Sequence, residues 1–165
     1  MGHNKLFEAK KMKNTSFNNE LTEMLSIKFP IILAPMFLVS NSKMLIEAGN
    51  CGITGCVPAL NYRTDKEFRL AVSDIKKNTS GPIGVNLIVN KSNVKFSKQL
   101  ETCIDLKVDY IITSLGSPEK TIKDCHKHGI KVFCDVVNLD YAKKVESMGA
   151  DALIAVNSQA GGHAG

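Results

Sequence analysis

HGIKVFCDVVNLDYAKKVESMGADALIA, residues 128–155, carries one full period of a repeating design. His128-Gly129-Ile130-Lys131-Val132 and Met148-Gly149-Ala150-Asp151-Ala152 occupy equivalent places within it. In each, a glycine follows an amphipathic segment, where a helix ends on a left-handed residue, and an apolar run comes next. The segment between them, Leu139–Ser147, mixes Val and Ala with Lys, Asp and Glu as a surface helix does.

Working outward, short apolar runs begin near Ile31, Gly52, Ile83, Tyr110, Lys131 and Ala152. They are rich in Ile, Val and Leu, lack polar alternation, and are too short for buried helices, so they read as strands covered on both faces. Helices are expected over Ser42–Ala48, Thr64–Asn78, Ser97–Leu106, Pro118–His128 and Leu139–Ser147. Ser117 suits a cap and Pro118 a first helical position. Gly49, Gly129 and Gly149 are each expected at a left-handed helix end. Six strands alternating with five helices give a parallel α/β architecture. GxGxxG, the mark of a dinucleotide-binding sheet, is absent after the first strand. The expectation is therefore a (β/α)8 TIM-barrel type, with the active edge at the strand C-termini. Such barrels take about 250 residues, so this 165-residue chain is expected to supply only the first six strands. Two parallel edges would then stay open, and a homo-oligomer is one way to cover them.

The barrel portion is expected over residues 27–165, preceded by a polar, lysine-bearing segment, 1–26, that ends in a short helix through Leu21, Met24 and Leu25. That helix is expected to plug one end of the barrel. The segment has no continuous apolar stretch of the kind a secretory leader needs. With 44% apolar and 22% charged residues, the composition excludes a wholly disordered chain. No apolar run approaches the roughly 18 residues of a membrane-spanning helix. The net charge of +5 is spread over expected helix faces and Trp is absent, so neither nucleic acid nor membrane is expected as a partner. Five cysteines without paired spacing argue for a reducing, cytoplasmic setting, with Cys51 and Cys56 in the core. Cys125, His126 and His128 cluster near a helix end but lack a second ligand group, so no metal site is expected.

Chemistry is expected after the sixth strand, in Ala160-Gly161-Gly162-His163-Ala164-Gly165. Glycines let backbone approach a flat ligand, and an imidazole can take or give a proton near neutrality. The alternative is a flexible tail with an incidental histidine. Asn86, in Gly84-Val85-Asn86, could meet the polar edge of a planar heterocycle or serve as a satisfied structural amide. Thr113-Ser114-Leu115-Gly116-Ser117-Pro118 reads either as pocket lining or as a plain strand-to-helix turn.

Together these pieces resemble the nitronate monooxygenase family, FMN-dependent barrel enzymes also called 2-nitropropane dioxygenases. The resemblance rests on Phe29-Pro30-Ile31-Ile32-Leu33-Ala34-Pro35-Met36, Ala48-Gly49-Asn50-Cys51-Gly52, Pro82-Ile83-Gly84-Val85-Asn86-Leu87, Gly149-Ala150-Asp151-Ala152 and the terminal AGGHAG. The flavin-dependent enoyl reductases of fatty-acid synthesis share the layout. The resemblance implies that Ala34, Pro35 and Met36 lie against the flavin ring, that Asn86 meets its polar edge, and that Gly161 and Gly162 contact the cofactor. It makes His163 the catalytic base toward a nitroalkane or nitronate, with O2 as oxidant. Phe37 and Leu38 replace the family's small residues, Val156 stands where a flavin-binding Gln is common, and Gln159 where Glu is common. In the family, two further strand-helix units supply much of the phosphate site, so the resemblance implies weak or no FMN retention by these 165 residues. A related reductase using a reduced nicotinamide and a non-catalytic barrel fragment are the alternatives.

Overall fold

Why a polar chain folds into helices here is plainest at α3, Asp65–Asn78. Thr64 and Glu67 form a reciprocal capping box, acids occupy the first turn, and Lys76 and Lys77 the last. Phe68, Val72 and Ile75 fall on one stripe and are buried, each adding about 1.5–3 kcal/mol of transfer free energy. The computed structural model describes residues 17–161. In chain order its elements are α1 (Glu20–Leu25), β1 (Ile32–Leu33), α2 (Ser42–Asn50), β2 (Thr54–Pro58), a 3-10 turn (Ala59–Asn61), α3, β3 (Ile83–Ile88), α4 (Phe96–Asp105), β4 (Tyr110–Ser114), α5 (Glu119–His126), β5 (Lys131–Val136), α6 (Leu139–Ser147) and β6 (Ala152–Ala155).

The strands are all parallel and lie in sequence order, β1-β2-β3-β4-β5-β6. A doubly wound sheet reverses its order partway and carries helices on both faces. Here the order never reverses, and the helices between the strands, α2 to α6, pack on a single face. The result is a curled, partial (β/α)8 barrel. Period-two alternation then splits each strand between two cores. Val57, Val85, Leu87, Ile111, Val132 and Cys134 face outward into the helix layer. Cys56, Tyr110, Ile112 and Phe133 face inward, where Leu25 and Ile27 cover them. The short helix expected before the barrel is α1; its Leu21, Met24 and Leu25 pack on this inner core.

Two aspartates set the strand register. Asp109, just before β4, accepts the Ile83 N–H at the start of β3 (2.8 Å). Asp151, just before β6, accepts the Val132 N–H of β5 (2.8 Å) and also bonds His126 (2.8 Å) and Lys131 (3.0 Å).

Several expectations are corrected. β1 and β2 begin at Ile32 and Thr54, because Gly52 turns with φ +85° and its carbonyl accepts the N–H groups of Lys28 and Phe29. Gly49 lies inside α2, not beyond it; a Cβ there would stand 2.0 Å from the Thr79 hydroxyl, so close packing explains this glycine. Gly129 and Gly149 do adopt the left-handed turn, at φ +71° and +93°. Ser117 does not cap α5: Pro118 holds the cap position, without a side-chain bond. Cys56 is buried as expected, whereas Cys51 ends α2 on the surface. His126 pairs with Asp151. Among the described residues, no helix is long and apolar enough to cross a membrane.

Candidate functional site

Because the strands run parallel, their C-terminal ends share one edge, and the expected site segments all lead to it. The loop after β1 is stapled. The Ser40 side chain, fully buried, donates to the Ala34 carbonyl (2.7 Å) and accepts from the Met36 N–H (3.0 Å). Asn61, in the turn after β2, accepts the Leu38 N–H (2.8 Å) and donates to the Ser40 carbonyl (2.8 Å). Ala34 is thereby held exposed, with Pro35 and Met36 half-buried. Leu38 sits at φ +61°, a conformation leucine rarely adopts.

Asn86 lies on the inward face of β3 and is 8% exposed. Its Nδ2 group donates to the Ile112 carbonyl (3.1 Å) and to Ser114 Oγ (2.8 Å). The Ser114 hydroxyl in turn donates to Asp135 Oδ2 on β5 (2.6 Å). Asn86, Ser114 and Asp135 therefore form a polar chain across three neighbouring strands. Burial pushes the Asp135 carboxyl above its ordinary value, and the Ser114 hydrogen bond only partly counters this. Among the described residues it has no salt-bridge partner.

Below this chain the interior is apolar. Tyr110 fills the hollow over Gly84, where a Cβ would come within 2.3 Å of its ring. Tyr110 stacks on Phe133 with ring centroids 5.0 Å apart, and its hydroxyl accepts from Thr54 (3.2 Å). Exposed Phe37, Leu38, Leu115 and Val137 lie in the loops that follow the strands. A hydrocarbon floor, a few convergent polar atoms and an apolar rim suit a flat heterocycle.

The structure brings the 34–36 loop and Asn86 to one end of the sheet, and Gly161 follows β6 at that same end, exposed. Gly162 and His163 lie outside the described residues. Thr113 points away, into the helix layer, bonding Cys134 Sγ (3.2 Å). Ser40, Asn61 and Asp135 escaped the sequence reading. For Asp135 a signal existed: period two from Phe133 puts it on the inward face.

Comparison with known proteins adds independent support. A family model described as nitronate monooxygenase matches residues 91–165. A probable nitronate monooxygenase of Staphylococcus haemolyticus is 28% identical over 90% of this chain and 51% of its own length. Thus the chain spans about half of the curated relative it matches. FabK from Thermotoga maritima superposes with a TM-score of 0.84 at 28% identity, covering 91% of this chain and 47% of that one. Nitroalkane oxidase from Streptomyces ansochromogenes, at 21% identity and a TM-score of 0.75 over 85% of this chain and 49% of its own, shares the fold. Sequence pieces, strand order and these likenesses agree: the chain is similar to nitronate monooxygenases, and to FabK over most of its length.

Proposed function

We propose that this chain forms the greater part of an FMN-dependent site that oxidises alkyl nitronates or nitroalkanes with O2, giving a carbonyl compound and nitrite. The observation that carries the reading is Asn86. Its amide is nearly buried on the same inward face as Tyr110 and Phe133, yet its oxygen has no partner among the described residues. Such an atom fits the polar edge of an isoalloxazine ring, and the floor fits its plane. The matched family model also runs through the AGGHAG motif.

In this reading Ala34, Pro35 and Met36 flank the ring, and Asn86 orients it. Gly161 and Gly162 let backbone come close to the cofactor. The flavin supplies the redox chemistry when bound, passing electrons from substrate to O2. The chain's own task is proton transfer and positioning. The His163 imidazole takes the proton from the carbon bearing the nitro group, and the apolar rim limits water around the developing anion. For a substrate that arrives already as the nitronate, His163 orients the anion without removing a proton. A reducing, cytoplasmic compartment suits five free cysteines.

Replacing His163 by Asn tests the base. Turnover of a neutral nitroalkane should fall about 100- to 10,000-fold, with a smaller loss on the preformed nitronate. Equal losses on both would remove the base assignment. A second reading, a flavin-dependent enoyl reductase, is favoured by the likeness to FabK. Rapid anaerobic bleaching of the flavin by NADH or NADPH, without nitronate turnover, would select it instead.

A further inference from the structure

The polar chain across β3, β4 and β5 has a direction. Asn86 offers two N–H donors and one carbonyl oxygen. Both donors are committed, one to the Ile112 carbonyl (3.1 Å) and one to Ser114 Oγ (2.8 Å). Turning the amide over would set its oxygen against the Ile112 carbonyl, two acceptors face to face. Ser114 can receive the Asn86 proton while giving its own away, and Asp135 Oδ2, at 2.6 Å, takes it. With the Ser114 hydroxyl donating to Asp135 Oδ2, its oxygen is left to accept from Asn86, so the order of donors runs toward the Asp135 end. What remains for a ligand is the Asn86 oxygen, on a side chain more than nine-tenths buried.

We propose that Ser114 and Asp135 are positioning residues that lock the Asn86 amide with its oxygen toward the interior, so that the site selects a ring presenting an N–H donor at that point. The inference rests on the flavin reading above and sharpens it. The oxidised isoalloxazine ring carries a single N–H, at N3, among several acceptors. An amide free to turn would accept any part of that edge, but a locked acceptor takes only N3–H. Asp135 thereby acts on the ligand without touching it. Burial of its carboxyl without a cation is tolerated because the Ser114 hydroxyl serves it.

The test is equilibrium titration of the full 165-residue chain with FMN and with 3-methyl-FMN, followed by flavin fluorescence. The wild-type protein should prefer FMN by about tenfold or more, the worth of one well-made hydrogen bond in a water-poor site. Ser114→Ala and Asp135→Leu should reduce that preference to within about threefold of unity. Asp135→Asn keeps an acceptor for the Ser114 hydroxyl and should restore it. A merely structural role for Asp135 would weaken both flavins equally and leave the ratio unmoved. If either unrescued variant fails to fold by circular dichroism, the other and the wild-type ratio still decide. Equal affinity of the wild-type chain for the two flavins overturns this inference alone. Failure of the wild-type chain to take up either FMN or lumiflavin, which needs no phosphate site, at any concentration overturns the flavin reading and this inference with it.

Discussion

Gly84 is the residue on which the interior turns. The Tyr110 ring occupies the volume a β-carbon would need, 2.3 Å from two of its ring atoms. That ring has nowhere to go, stacked on Phe133 and hydrogen-bonded to Thr54. Gly84→Ala should therefore cost about 1–3 kcal/mol through overpacking, seen as a lower urea midpoint, and should alter the near-ultraviolet dichroism of the tyrosines. In the sequence, Gly84-Val85-Asn86 is readable as a place of close approach, but its direction is not. Nothing local says that the filler is a side chain 26 residues onward. The same holds for Asn86: its residue type suggested a heterocycle contact, while the polarity of that contact depends on Ser114 and Asp135, which only the pairing of β3, β4 and β5 brings near.

At the scale of elements, Asp109 and Asp151 do for strands what caps do for helices. Each sits just before one strand and accepts an N–H at the start of the strand beside it. Burial alone would raise the Asp151 carboxyl, but the Val132 N–H, His126 and Lys131 outweigh it and hold the group below its ordinary value. A carboxyl lowered by folding stabilises the native state above its unfolded value, near about pH 4. That contribution fades as pH falls through the folded value. Asp151→Asn should thus lose about 1–3 kcal/mol at neutral pH. The variant should also have a flatter urea midpoint below about pH 4 than the parent, measured by titrating unfolding against pH. Elements themselves were largely legible. β3, β4, β5 and β6 start where their Ile, Val and Leu runs start, and α6 spans the segment expected. The misreadings came where one glycine served packing and another served the turn, at Gly49 and Gly52, because composition does not separate these uses. Ser117 failed as a cap because Pro118 already held that position without a side-chain bond.

Over the whole molecule, the inner core joins residues that the sequence assigned to different segments. Leu25 and Ile27 pack on Cys56, Tyr110, Ile112 and Phe133, so α1 belongs to the same core as the strands. Leu25 is 5% exposed; Leu25→Ala should cost about 2–5 kcal/mol in urea unfolding. A helix merely appended to the barrel would lose well under about 1 kcal/mol. The barrel class was legible from strand spacing together with the missing GxGxxG. The closure of the inner core by α1 was expected only in outline, since which faces meet depends on curvature that no single segment encodes. That closure has one more consequence. With aromatic rings and aliphatic side chains filling the space under Asn86, the described residues leave no way through the floor, so a small molecule reaching this hollow would not pass out at the strand N-termini.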